Sequence, residues 1–360
     1  MNGDTTRSTG RDVAIVTVSQ TPSVAAFDGP EPVLVMRCVN DILNQTGLER
    51  SEVDFTIAGS CDYNSGLPFA FVMNLDGIGA WPPVYESHVE MDGAWALFEA
   101  WLRLQVGDVD TALVIGSGRP SPGNHREAFA LQTDPYFMAP LGLDPTSLAG
   151  LQARALLDRE LATERDFAEV VVRSRQAGAS NPKAMVTEQA SVEELMAQPY
   201  VASPLRAHDV APTADGAAAV LLVAGDRARE LRERPAWIRG IDHRIESHHP
   251  GFRDLTDSPS IRTAAAHAGA ADGPIDVAEL MVVHSHEELI VRRSLGLGEQ
   301  TVVNPSGGPL AGDPVMATGL VRVAEVASRI MDGTVRRGVA HASSGACLQQ
   351  NLVSVLEGDD

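Results

Sequence analysis

Apolar residues fall into two alternating rhythms along this chain. Short runs rich in β-branched residues predict buried strands: Val13–Val18 (VAIVTV), Val53–Ala58 (VDFTIA) and Thr111–Ile115 (TALVI). Between them the apolar positions take helical spacing. Pro30–Asn44 carries Val33, Val35, Met36, Val39 and Leu43. Glu90–Val106 sets Ala94, Leu97, Phe98, Trp101, Leu102 and Gln105 on one side, and Gly107–Asp108 stops it. From Ser121 to Pro145 periodicity is lost among prolines, as in functional loops. Helices follow at Thr146–Glu160 and Thr163–Gln176, the second opened by Thr163 three residues before Asp166. A polar linker, Ala177–Ala184, and a buried strand, Ala217–Val223, complete this part.

The alternation then restarts. Trp237–Ile241 predicts a strand, Asp242–Arg253 a loop, Ser258–Ala271 a helix, Leu280–Val283 a strand, and Glu287–Leu295 a helix. Val302–Val303 predicts a strand, Pro314–Ile330 a helix, and Gly338–Leu356 two strands around a Ser343–Ser344–Gly345 loop. Two rounds of one alternation indicate an α/β layered protein with two similar halves. The division is 1–225, including a loop segment 121–200, and 226–360.

The stretch Val302–Gly319 (VVNPSGGPLAGDPVMATG) stands out. It passes from a strand start through Gly307, Gly308 and Gly312 to an apolar helix. A glycine loop of this kind brings backbone close to a ligand and can turn N–H groups toward negative charge. The alternative is a strand-to-helix turn whose glycines serve only its bends.

Composition removes several function classes. Across 360 residues the formal net charge is −20, and no Lys/Arg cluster breaks it. Nucleic-acid binding needs a basic face and is excluded. There is no run of eighteen apolar residues, and the polar start MNGDTTRSTGRD lacks the apolar core of a signal peptide. Three scattered cysteines, Cys38, Cys61 and Cys347, suit neither a disulfide framework nor a zinc site. The expectation is a cytoplasmic, reduced protein with no metal.

Four stretches in order carry a family resemblance. They are Arg165–Ala184 (RDFAEVVVRSRQAGASNPKA), Ser203–Leu221 (SPLRAHDVAPTADGAAAVL), Val302–Gly319, and the glycine-loop hairpin Gly338–Leu356. Together they resemble the thiolase superfamily, in particular the sterol-carrier-protein type and its actinobacterial, lipid-transfer-protein-like relatives. The resemblance implies a five-layered αβαβα fold of two similar halves around two central helices.

The departures bear on chemistry. A thiolase makes and breaks a thioester through a thiolate at the entry of a buried helix. Aligning Gly93–Leu97 with that entry puts Glu90 in the cysteine's place, with Asp92 as the alternative register. Either acid could instead only complement the helix dipole. The family's GHP histidine is Asp313, which could equally cap a helix starting at Pro314. The family's asparagine falls on Glu287, and its last catalytic cysteine near His341 or Ser343–Gly345. His284 and His286 alternate on a strand end, so one of them faces a pocket.

The resemblance therefore implies an acyl-CoA-processing protein without the thiolase nucleophile, with coenzyme A as part of the substrate and no bound cofactor. One reading is a retro-aldol carbon–carbon lyase of lipid or sterol catabolism. Its acid–base set is His284, His286, Glu287, Asp313 and His341, and its substrate-binding set is Glu90, Asp92, Gly307, Gly308 and Gly345. The other reading is a non-catalytic acyl-CoA-binding subunit. The implied partners are a second copy, another thiolase-like chain, or a small OB-fold acyl-CoA-binding protein.

Overall fold

The computed structural model describes residues 10–66 and 68–359. The amino-terminal stretch up to residue 9, and the end of the predicted Gly59–Leu67 loop at Leu67, lie outside the described residues. Ten strands form the main sheet. In chain order they are β1 (Val13–Gln20), β2 (Phe55–Gly59), β3 (Glu86–Val89), β4 (Thr111–Gly118), β5 (Gly216–Ala224), β6 (Ala236–Ile245), β7 (Val277–Leu280), β8 (Val302–Val303), β9 (Arg337–Ser344) and β10 (Gln350–Glu357).

Their spatial order is β8-β7-β9-β10-β6-β1-β5-β4-β2-β3. Read outward from the β1–β6 junction, each side repeats the same topology, with strand n on one side matching strand n+5 on the other. β2 lies parallel to β3 and β4, while β4–β5 and β5–β1 are antiparallel. β7 lies parallel to β8 and β9, while β9–β10 and β10–β6 are antiparallel. The junction is slight: β1 and β6 share only the pairs Ala14↔Trp237 and Ile15↔Ala236. The two halves are thus joined sheets bent around common contents.

Those contents are α2 (Gly93–Val106) and α7 (Thr318–Met331), while α1 (Glu31–Thr46) lies outside them. α2 links β3 to β4 and α7 links β8 to β9, the equivalent place in each half. Ala94, Leu97, Ala100 and Leu104 of α2 meet Leu320, Val323, Ala327 and Ile330 of α7 in one core, together with inner-face residues of both sheets. The outer face of the first half is covered by α1 through Leu34, Val35, Val39 and Ile42. The outer face of the second is covered by α3 (Pro145–Asp158), α4 (Glu164–Gly178), α5 (Pro259–His267) and α6 (Glu287–Leu295). The result is the five-layered αβαβα arrangement expected from the sequence.

Close crossing of the central helix requires glycine at one point. A Cβ on Gly93 would lie 2.9 Å from the Gly116 Cα, which real Cβ contacts do not tolerate. α2 therefore starts three residues later than its apolar pattern suggested. The Gly93 amide donates to the Met316 carbonyl at 2.9 Å, and Asp92 caps the helix. Thr163 caps α4 with the predicted reciprocal bond to Asp166.

Candidate active site

The chain leaves β7 at Leu280, three residues before the predicted strand end. There it folds back tightly, the Val282 amide donating to the Leu280 carbonyl at 3.1 Å. The following segment is fixed from two sides. Met281 N donates to His341 O at 3.0 Å, and Ser285 donates through its amide and hydroxyl to the Asp209 carbonyl and carboxylate at 2.9 and 2.6 Å. His284 and His286 therefore do not alternate across a sheet. Both are buried, their ring centres 5.9 Å apart.

Glu287 opens α6 and turns back on this segment. One carboxylate oxygen accepts the amides of Val283 and His284, at 2.9 and 3.1 Å. The other lies 3.1 Å from His284 Nδ1. Burial works to raise this carboxyl, but the His284 ring and the hydrogen bonds hold it below the ordinary range. An ionised carboxylate only accepts, so His284 turns an Nδ1–H toward it.

Two more imidazoles lie near. His286 Nε2 is 3.1 Å from Gln152 Oε1, and His341 Nε2 is 3.0 Å from Asn351 Oδ1. Burial pushes His286 down to about 3 and His341 down to about 4, so both are neutral at pH 7. Asp313 lies within electrostatic reach of His284 and Glu287, and burial lifts its carboxyl to about 6. It does not cap a helix at Pro314. Asp313–Pro314 pairs in parallel with Thr213–Ala214, and Met316 takes a left-handed φ of 67°, so helical geometry starts only at Thr318. The Asp313 carboxylate instead accepts the Thr318 hydroxyl.

The structure thus brings His284, His286, Glu287, Asp313 and His341 together, and of the substrate-binding candidates Asp92 lies within electrostatic reach of Asp313. Asp92 is buried, and its oxygens accept the amides of Ala94 at 2.8 Å, Leu320 at 3.1 Å and Gly319 at 3.0 Å. It caps both central helices. Burial still lifts it to about 7, against those three bonds. Glu90 is exposed on the other side of this turn and accepts the Asp62 amide, outside the buried cluster.

Gly307 and Gly308 do not offer amides to a ligand. Their N–H groups donate to the Asn304 carbonyl at 2.9 Å and the Ser306 hydroxyl at 3.2 Å. Gly307 must be glycine because its φ is 96° and a Cβ would lie 2.9 Å from Gly178 Cα. The loop is held from below by a buried network in which Arg322 donates to Glu279 at 2.6 Å and to the Ser306 hydroxyl at 2.7 Å. Gly345 differs. It is exposed at the β9–β10 turn with φ 73°, and its amide donates to no acceptor among the described residues.

Each thiol is buried. Burial pushes Cys38 up to about 11 and Cys347 up to about 12, and raises Cys61 as well. Among the described residues no three His, Cys, Asp or Glu side chains converge in metal-binding geometry. Sequence reasoning missed Gln152 and Asn351. Gln152 is a polar residue on an otherwise apolar helix stretch, a signal that could have found it, whereas Asn351 follows Gln349 and Gln350 and carries none.

No family model matches the chain. Against curated proteins, it is 27% identical over 371 residues to the acetyl-CoA acetyltransferase of Methanothermobacter thermautotrophicus, spanning 93% of this chain and 95% of that one. It is 28% identical over 217 residues to the 17-hydroxy-3-oxo-4-pregnene-20-carboxyl-CoA lyase of Mycobacterium tuberculosis, spanning 57% and 55%. Among solved structures, the "Ltp2-ChsH2(DUF35) aldolase" superposes with a TM-score of 0.80 at 20% identity, over 98% of this chain and 99% of that one. Human mitochondrial 3-ketoacyl-CoA thiolase superposes at 0.77 and 18% identity, over 97% and 99%. The chain is thus similar in sequence to proteins of the thiolase superfamily and shares their fold. Within that superfamily its relatives include both an acyltransferase and a lyase, so the named activities alone do not choose between the two chemistries. No helix among the described residues is long and apolar enough to cross a membrane.

The neutral imidazoles give a pH prediction. In the unfolded chain a histidine takes a proton near pH 6.5, whereas folded His286 and His341 resist it down to about 3 and 4. Between these values the unfolded chain binds more protons, so stability falls as pH drops below about 6.5. Each ring accounts for about 2 kcal/mol between pH 6.5 and 5. Asp92 and Asp313, with raised values, act in the opposite sense, so the comparison is made between variants. Denaturant unfolding of His341→Gln should show a shallower loss from pH 7 to 5 than wild type. Equal slopes would contradict the assignment.

Proposed function

We propose that this thiolase-fold protein is an acyl-CoA carbon–carbon lyase of the retro-aldol type, acting on a 3-hydroxyacyl-CoA, and that it does not work as a thiolase. The observation that supports this most is the buried His284–Glu287 pair beside Asp313. The residues at the entry of α2 are Glu90 and Asp92, and every cysteine is buried with its thiol raised. The similarity to a steroid side-chain CoA lyase fits the same reading.

The steps balance without a thioester to the protein. His284 Nε2 takes the proton of the substrate's β-hydroxyl, while Glu287 holds the ring through Nδ1–H and stabilises its charge. The Cα–Cβ bond then breaks. The β-oxygen becomes the carbonyl of a released aldehyde or ketone, and the bonding pair moves into a thioester enolate. The turn amides at Gly345 and Ala346 are the donors suited to the enolate oxygen, in place of the internally bonded Gly307 and Gly308. A proton from His284 or Asp313 returns to Cα and yields the shortened acyl-CoA.

A second reading, an acyl-CoA-binding subunit that completes another chain, is favoured by a different observation. Phe69, Trp81, Tyr136 and Phe252 expose between 70% and 86% of their surfaces, unusual for rings with nothing to cover them. The solved aldolase pairs its thiolase-fold chain with ChsH2(DUF35), which suggests a small acyl-CoA-binding protein as such a partner. A second copy, or another thiolase-like chain, is the alternative.

The test supplies 3-hydroxyacyl-CoA to the purified chain, alone and with the products of adjacent genes, and follows carbonyl release. His284→Ala should slow release by roughly 10²–10⁴-fold. Full activity in that variant would remove His284 as the base. Binding without turnover under every condition would favour the subunit.

A further inference from the structure

Two of the three clustered imidazoles are held in the same way from outside the cluster. The Asn351 amide nitrogen donates to the Leu348 carbonyl at 2.7 Å and to the Ser260 hydroxyl at 2.8 Å. A contact of that length to a carbonyl identifies the NH₂ end, so Oδ1 is the end that faces His341 Nε2. Gln152 is oriented likewise. Its nitrogen donates to the Leu255 carbonyl at 3.0 Å and reaches the Cys347 carbonyl at 3.5 Å, leaving Oε1 toward His286 Nε2. Each amide oxygen can only accept, so each ring must carry its proton on Nε2. The opposite atoms, His286 Nδ1 and His341 Nδ1, are buried and have no hydrogen-bond partner among the described residues.

The carbonyl that orients Asn351, and the more distant of the two that Gln152 meets, come from one unusual place, while Leu255 supplies the nearer acceptor for Gln152. Cys347 and Leu348 are consecutive non-glycine residues in left-handed conformation, with φ of 56° and 58°. Such residues are strained, and strain of this kind persists where the surroundings enforce it. Arg253 helps to do so by donating to the Ala346 and Cys347 carbonyls, both at 2.9 Å. The turn therefore fixes the Asn351 amide through Leu348 and adds a longer contact to the Gln152 amide that Leu255 holds.

We infer that Gln152 and Asn351 are positioning residues that lock His286 and His341 in the Nε2–H tautomer, so that both rings enter the site as hydrogen-bond acceptors through Nδ1. This rests on the reading of the cluster as an acid–base site, but the lock itself can be observed without turnover. It also divides the labour. A neutral ring locked this way can receive a hydroxyl proton or hydrogen bond, and it cannot donate one to an enolate oxygen through the same atom. That task is left to backbone amides.

The experiment is nitrogen-15 NMR of the histidine rings in the full chain at pH 7, with carbonyl release measured in parallel. Wild type should show two imidazoles with Nε2 protonated and Nδ1 bare. Gln152→Leu and Asn351→Leu should each change one ring to mixed or reversed tautomers and slow release roughly tenfold to a hundredfold. Gln152→Glu and Asn351→Asp keep an acceptor toward each Nε2, so they should keep the tautomer, while each sets a carboxylate oxygen against the carbonyl its NH₂ had bonded and lowers stability. A merely structural role would not give that pattern of ring signals. Nδ1–H signals in wild type, or unchanged tautomers in folded Leu variants, would overturn the lock. Should a Leu variant fail to fold, the wild-type spectrum and the Glu or Asp variant still decide. Correct tautomers with no carbonyl release under any condition would keep the lock and remove the proposed reaction.

Discussion

Asp92→Ala should be the most destabilising single substitution among the residues discussed. The side chain is 2% exposed and satisfies the amides of Ala94, Gly319 and Leu320, the first turns of both central helices. Alanine would leave three buried donors without an acceptor. At about 1–3 kcal/mol for each orphaned group, the loss is about 3–9 kcal/mol, a large part of the stability of an ordinary domain. A melting-temperature drop of roughly 4–12 °C follows. Asp92→Asn should fall between. Its oxygen can keep Ala94 and Leu320, but its NH₂ would face the Gly319 amide donor to donor. Calorimetry of the three proteins checks the order. A melting temperature for Asp92→Ala within a degree or two of wild type would show that the cap is dispensable.

Asp92 also shows where the sequence was legible and where it was not. That an acid stands at the start of a buried helix could be read locally. That the same carboxyl caps a second helix could not, because its partners lie 227 and 228 residues further along the chain. Local signals served well where one element settles the matter. The Thr163 cap, the strand at Val302–Val303 and the Glu287–Leu295 helix all stand as their patterns predicted. The layered fold was legible because the strand–helix alternation is written twice.

The errors have a common cause in tertiary contacts. The apolar run after Pro314 reads as helix, yet pairing with Thr213–Ala214 and the left-handed Met316 delay the start to Thr318. The glycines of the 307–308 loop read as ligand-facing, yet packing on Gly178 and bonds within the loop consume them. His284 and His286 read as strand residues on opposite faces, yet the reversal after Leu280 puts both inside. Gln152 and Asn351 carried no motif, and their meaning appears only when the C-terminal turn is folded over them.

The second large effect concerns the thiols. A working thiolase needs a thiolate that attacks the acyl-CoA and holds the acyl group. Here Cys347, the cysteine nearest the cluster in sequence, is buried with its thiol pushed up to about 12 and its sulfur 3.4 Å from the Leu148 carbonyl, a geometry in which S–H donates. At pH 7 the thiolate fraction at that value is on the order of 10⁻⁵. Cys38 is held similarly against the Ala217 carbonyl at 3.5 Å. Acetoacetyl-CoA with free coenzyme A should therefore give no thiolysis above background.

The central claim, cleavage by an acid–base cluster without an acyl-cysteine, is tested most directly by intact-mass spectrometry during turnover of 3-hydroxyacyl-CoA. The account predicts carbonyl product accumulating while the protein keeps its unmodified mass, and the same product from a chain carrying Cys38→Ala, Cys61→Ala and Cys347→Ala. An acyl adduct that maps to any of the three cysteines and disappears as product forms would contradict it.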